Sequence, residues 1–367
     1  MFLAIRDIRF AKGRFAMMGG VVALITLLLV MLSGLTAGLA EQSTSAIDKL
    51  GASAARPVDS IAFGAPGSVT PKASYTESSV TAGQVARWKD APGVQSAEPL
   101  GITQTRAQVP GGAGTANVAV FGVSPGSPLA PVEVSAGTAV LGSSTAEALS
   151  VGQGDKVSMG GVELGVAAVV PDQWYAHTSV VWTALPAWAK VAHVSDGDQL
   201  ATVVAVTFAG GAKVDRAAAD AAAHTVSESR TGSFQALGSF KSENGSLTLM
   251  QAFLYGISSL VIVAFLTVWT IQRTRDIAVL KAMGAPGSYI LRDAMTQAAI
   301  VLVAGAAAGG AVGVAAGALA AQAAPFLLTA GTTVLPVVGI VALGLAGAAL
   351  AVRRVTKVDA LLALGGN

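Results

Sequence analysis

The chain has 367 residues, 53% hydrophobic and only 12% charged, with a net charge of +2 and a mean hydropathy of +0.63. Soluble domains carry about 25% charged residues, so this composition excludes an ordinary water-soluble enzyme or nucleic-acid-binding module and points to a membrane protein. The absence of cysteine excludes disulfides, thiolate metal sites and cysteine nucleophiles, and His177, His193 and His224 are too scattered for a metal cage.

Residues 2–14, "FLAIRDIRFAKGR", predict a short amphipathic helix at the inner membrane surface, so 1–14 is assigned to the cytoplasm. Phe15 to Ala40 is a run of 26 residues without a charge. That is longer than the apolar core of about 7–15 residues in a cleaved signal peptide, so an uncleaved first span is expected within 15–45. Residues 46–243 then read as an α+β domain. Strands are predicted at Val58–Phe63, Ser96–Val109, Ala116–Val123, Thr138–Leu141, Lys156–Met159, Val162–Val170, Ser179–Trp182 and Thr202–Phe208, from β-branched runs between Gly, Pro, Asp and Ser clusters. Helices are predicted at 81–91, 143–149, 184–191 and 213–223. The stretch "PDQWYAH" around His177 reads as a loop packed on its own aromatics.

Two more uncharged runs follow, 29 residues at Asn244–Gln272 and 59 at Ala294–Val352. A span needs about 20 apolar residues, so the second run holds one helix (244–272) and the third holds two (294–322 and 334–352). These two are split by a loop at 323–333 where Pro325, Gly331 and Pro336 supply turn chemistry. The fold class is therefore a four-span α-helical membrane protein with an α+β domain inserted between spans one and two. Eleven cations but four acids lie in 1–14, 273–293 and the tail 353–367, whereas 41–245 holds twelve cations and seventeen acids. By the positive-inside rule both termini are cytoplasmic and the inserted domain is extracellular.

Within the spans, Gly305, Gly309, Gly313 and Gly317 recur every four residues, a bare ridge for close helix packing, expected against the fourth span. Gly34, Gly38, Glu41 and Ser45 share one face of the first helix, with the glycines clearing space beneath a carboxylate at the outer boundary. Met250, Gln251, Tyr255 and Ser258 occupy the equivalent depth of the second span.

Between spans two and three lies "TIQRTRDIAVLKAMGAPGSYILRDA". Arg275 to Met283 predicts two helical turns aligning Ile277, Leu280 and Met283, with Gly284 ending the helix, Pro286 blocking its continuation and Ser288 able to open the next. A short rigid cytoplasmic helix suits insertion into a groove on a partner protein. "RTRDIAVLKAMGAPGSYI" closely resembles the coupling segment of the MacB/FtsX-type ABC transporter permeases. Arg273, Arg275, Ile277, Leu280, Lys281, Ala282, Gly284 and Ala285 match its pattern, and Asp276 stands where the family has glutamate. "LAIRDIRFAKGRF", "VLGSSTAEALSVGQGDKVSMGG" and "RRVTKVDALLALGG" are similar to the family's N-terminal helix, external-domain stretch and tail.

The resemblance implies a homodimer working with two copies of a separate ABC ATPase that binds ATP and Mg. Arg275, Ile277, Leu280, Lys281, Met283 and Gly284 would then form the ATPase-coupling contact. This chain contains no Gly-x-x-x-x-Gly-Lys-Ser/Thr phosphate loop, so it is not itself expected to hydrolyse ATP or to carry an intrinsic cofactor. The length of the external segment is similar to that of the haem-exporting branch of the family, which implies haem, reached from the membrane lipid, as the cargo. Iron takes axial ligands such as histidine, methionine or tyrosinate. With no cysteine in the chain and no histidine in a span, Glu41 is the candidate ligand from each protomer. Gly34 and Gly38 would make room, and Met250, Gln251 and Tyr255 would line the pocket. Other amphiphiles (peptide, antibiotic, lipid) and an FtsX-like relay to a cell-wall hydrolase stay open as alternative functions.

Overall fold

The computed structural model describes residues 12–67, 69–112, 114–272, 279 and 283–356. The chain divides into two compact units, one formed by residues 1–39 with 246–367 and the other by Ala40–Gly245.

The second unit is built on one sheet. In chain order its strands are β1 (Ser60–Phe63), β2 (Val94–Gln108), β3 (Thr115–Val123), β4 (Thr138–Gly142), β5 (Lys156–Met159), β6 (Val162–Val170), β7 (Trp174–Tyr175), β8 (Thr178–Ala184), β9 (Val203–Phe208) and β10 (Val226–Ser229). The spatial order is β10-β1-β9-β2-β3-β8-β4-β6-β5, with β7 on β8. A further pairing of Ala107 with Met159 and Gln108 with Ser158 curls the sheet until β5 meets β2. The long strand β2 makes this possible, serving β9 through residues 94–100 and β3 through 101–108.

Side-chain alternation fills both faces. Val118, Val120, Leu141, Val181, Val204 and Val206 point to one side, where α2 (Ala82–Lys89), α3 (Ser143–Leu149), α4 (Leu185–Val191) and α5 (Arg216–Ala223) add Trp88, Leu149, Trp188 and Ala223. Ala119, Phe121, Val140, Val180, Trp182, Val203 and Ala205 point to the other. There they meet Ala46 and Ile47 from α1 (Lys12–Asp48), Leu50 from the turn that follows it, Leu237 just before α6 (Gly238–Gln272) and Phe240 in its first turn. Burial on both faces explains why these strands read as nearly continuous hydrophobic runs. Thr81 opens α2 with a capping box, its hydroxyl accepting from the Gln84 N–H while the Gln84 side chain accepts from the Thr81 N–H.

All eight predicted strands and four predicted helices of this unit are present. Two strands escape the sequence reading. β10 is short and polar, and β7 lies inside "PDQWYAH", which is one arm of a hairpin and not a free loop. Tyr175 there packs edge-on against Tyr75 and Phe121, aromatics brought from elsewhere in the chain.

Among the described residues four helices are long and apolar enough to cross a membrane, at Phe15–Asp48, Gly238–Trp269, Gly287–Ala320 and Ala330–Leu350; the other unit holds the last two and the parts of the first two outside 40–245. The four belong to α1, α6, α7 (Gly287–Ala320) and α8 (Ala330–Thr356). The first two helices extend beyond the uncharged runs, α1 from Lys12 to Asp48 and α6 back to Gly238. Residues 12–14, expected in a separate surface helix, are the first turn of α1, while 1–11 lie outside the described residues. Val22, Leu29, Ile262, Val301, Leu302, Ala306 and Ile340 form the buried centre of the bundle.

Candidate functional site

The glycines of α1 do clear space, and the chain itself occupies it. A Cβ on Gly34 would collide with the ring of Phe326, and one on Gly38 with the backbone carbonyl of Pro325. The Leu327 N–H donates to the Gly34 carbonyl at 3.0 Å, which fixes the loop between α7 and α8 in that seat. Phe326 also covers Gly317 of α7. The first-span notch is thus a socket for residues 325–327, a contact no helical periodicity can announce because the loop is remote in sequence.

Glu41 belongs to the other unit and pairs with Lys49, Nζ to Oε1 at 2.8 Å, the two side chains being 45% and 40% exposed (Lys49 and Glu41 respectively). A pair this exposed contributes about 0–1 kcal/mol, so the carboxylate is held in place but readily released. In the second span Gln251 points inward, its Nε2 donating to the Thr36 hydroxyl at 3.1 Å. Tyr255 lies against Gly339 of α8, and Ser258 is fully buried with its hydroxyl on the Leu254 carbonyl. Met250 is 49% exposed.

The glycine ridge of α7 packs on α1, not on α8 as expected. Gly305 faces the Gly19 carbonyl and Val22, Gly309 the Ala23 backbone, and Gly313 Val30 and Leu27. The fourth helix meets α7 through a different pair of glycines, with Gly310 beside Val337 and Gly344 beside Leu302. A four-residue period identifies a close-packing face and is silent about which helix fills it.

Of the coupling segment, Arg275, Ile277, Leu280 and Lys281 lie outside the described residues. Met283 is 72% exposed and its N–H bonds the Val279 carbonyl at 3.0 Å, a helical contact. Gly284 follows at φ +88°, the left-handed conformation in which glycine ends a helix, and Pro286 occupies the N-cap of α7. Ser288 sits in the first turn of that helix, one residue later than its start at Gly287.

Among the described residues no group of three or more His, Asp or Glu side chains could hold a metal ion. His177, the most site-like residue of the inserted domain, lies with Nε2 2.8 Å from Glu243 Oε2 and 3.1 Å from Ser43 Oγ. No spacing in the sequence links these three positions.

Four candidate membrane helices among the described residues, with an α+β domain inserted after the first, are the architecture of an ABC transporter permease of the MacB/FtsX type. Residues 15–224 match the MacB-like periplasmic core domain and residues 232–360 match the FtsX-like permease C-terminal domain. The chain belongs to the MacB/FtsX-type family of ABC transporter permeases. It is 26% identical over its whole length to an uncharacterized ABC transporter permease of Mycobacterium tuberculosis, covering 99% of that protein. It is also 29% identical over 131 residues to a putative hemin transport system permease protein HrtB of Staphylococcus epidermidis. That match takes in 36% of this chain and 37% of the relative, so the chain spans little more than a third of the length of the HrtB proteins it matches. The periplasmic region of MacB from Actinobacillus actinomycetemcomitans aligns with 47% of this chain and 88% of its own, at 11% identity and a TM-score of 0.33.

Proposed function

We propose that the chain is the permease subunit of an ATP-driven efflux pump that removes haem from the cell membrane. Two copies form the membrane part, and two copies of a separate ABC ATPase supply the energy through the segment 273–293. Both termini lie in the cytoplasm and the inserted domain lies outside. The observation that carries the transporter reading is the family match, which runs through the inserted domain and the spans together. The haem reading draws on the HrtB likeness and on chemistry. Haem is a flat amphiphile that partitions into lipid, and a carboxylate at the membrane boundary suits ferric iron. Glu41 is the proposed ligand. It would exchange Lys49 for the iron, at small cost given the exposure of that pair.

The test is an absorption titration with haemin on the permease–ATPase complex in nanodiscs, wild type beside Glu41→Ala. The expected result is saturable binding at one haem per permease dimer, weakened at least tenfold in the variant, with haemin raising ATP hydrolysis. Saturable binding unaffected by the variant would move the ligand elsewhere. Absence of binding beyond that of empty nanodiscs would replace haem by another amphiphile, and failure of the ATPase to associate would remove the transporter reading itself.

A further inference from the structure

The sharpest concentration of unusual geometry outside the proposed cargo path is the tip of the β7–β8 hairpin. The two strands are joined by Ala176 and His177 alone, since Tyr175 already pairs with Thr178. Both tip residues have positive φ, +47° and +63°. Two-residue hairpins of this geometry normally use Asn-Gly or Asp-Gly, because side chains with a Cβ are strained in the left-handed region. Such strain persists only where the surroundings hold it.

What holds it is α1. The Ala176 N–H donates to the Ser43 carbonyl and the His177 N–H to the Gln42 carbonyl, both at 3.0 Å. The Trp174 N–H donates to Ser45 Oγ at 2.9 Å. The His177 side chain then reaches a second helix. Its Nε2 lies 2.8 Å from Glu243 Oε2 of α6 and 3.1 Å from Ser43 Oγ of α1. Glu243 as a carboxylate can only accept, so Nε2 carries the proton. The root of the hairpin is anchored by the buried Tyr175 ring, and the adjacent Gln173 Oε1 is buried without a partner.

We propose that the β7–β8 hairpin is a clip that fastens α1 to α6 within the inserted domain, with His177 as its positioning residue. The two helices it joins are continuous with the first and second spans. Relative displacement of α1 and α6 at this level must therefore carry the hairpin along or unseat it. Unseating breaks the contacts to Gln42, Ser43 and Glu243 but relaxes the left-handed turn, so the seated and released forms are opposed by a local strain. That is the property of a two-state element. The clip is a feature of the chain alone, and its test needs neither cargo nor ATPase.

The experiment is hydrogen exchange on the full-length protein in nanodiscs. His177→Ala removes the charge-assisted hydrogen bond from Nε2 to Glu243, together with the side-chain contact to Ser43. It is expected to speed exchange about tenfold or more at 174–178 and also in the first turns of α6 around Glu243. His177→Gln, which can still donate to Glu243, is expected to restore most of the protection. Ala176→Gly is expected to act in the opposite direction, slowing exchange at the tip several-fold, because glycine accepts positive φ without strain. Unchanged exchange around Glu243 in His177→Ala would overturn the link to α6. Should His177→Ala loosen β2 and β3 as well, Ala176→Gly decides: slower exchange at the tip sustains the clip, and unchanged or faster exchange sinks it.

Discussion

Gly101 and Gly122 are directly opposite one another across β2 and β3. A Cβ on either would overlap Trp188, whose ring and Cβ lie flat on this bare patch of sheet and whose side chain is fully buried. The paired glycines exist to seat the indole, and α4 is docked through it. Gly101→Ala forces the ring or the strand to move, at a cost of about 1–3 kcal/mol. Gly165→Ala in β6, where nothing lies within 4 Å of the added methyl, is the matched control and should be near neutral. Denaturant unfolding of the full chain followed by tryptophan fluorescence checks this. Equal midpoints for the two variants would refute the seat. The sequence shows both glycines and the tryptophan but not their pairing. That needs the register of two strands and the approach of a helix whose Trp188 lies 66 residues beyond Gly122 and 87 beyond Gly101. His177, Ser43 and Glu243 were hidden for the same reason. Glu41 stands out in the sequence as the first charge after the first uncharged run, but its pairing with Lys49, eight residues further along, is not signalled there.

Among elements, the spans were the most legible part, because a charge-free run long enough to cross a bilayer has few alternative fates. The strands of the inserted domain could also be placed, from β-branched composition and turn chemistry. Helix faces were legible only in part. The four-residue glycine period in α7 marks a close-packing ridge, yet its partner is α1, and Gly34 and Gly38 are filled by Pro325 and Phe326 from the following loop. Inside a bilayer apolar side chains gain little by leaving lipid, so close backbone approach matters more than hydrophobicity in choosing neighbours. Hydropathy therefore carries almost no record of the choice. The consequence is specific. Gly309→Leu drives a side chain into the Ala23 backbone and should lower the thermal stability of the bundle in detergent, by about 2 kcal/mol or more. Gly256→Leu in α6, which meets nothing within 4 Å in the monomer, should leave monomer stability close to wild type. If Gly309→Leu melts like Gly256→Leu, α7 does not pack on α1 through this ridge.

At the scale of the whole molecule, the two units are held by different forces and should respond differently to solvent. The inserted domain rests on a water-excluding core that contains two of the chain's four tyrosines, Tyr75 and Tyr175. Burial raises the pKa of both phenols above 10, and at Tyr75 it outweighs the opposing effect of the hydrogen bond to Ser233 at 2.9 Å. The folded domain therefore prefers these groups neutral, whereas the unfolded chain ionises them near 10. Their contribution to stability is fully present below pH 10 and is lost as pH rises from there toward the folded values, because the unfolded state now releases protons that the folded state keeps. An alkaline titration of the full-length protein should show tyrosinate from Tyr75 and Tyr175 appearing only with cooperative loss of β structure, while the helical signal of the spans persists. Tyr175→Phe removes one of the two ionisable groups and should shift that transition to higher pH, provided the ring still fills its place beside Phe121. A gradual rise of tyrosinate with the strands intact would mean that the aromatic cluster is open to solvent. The hairpin root would then not be anchored in the core, and the clip on α1 and α6 would have no fixed point to pull against.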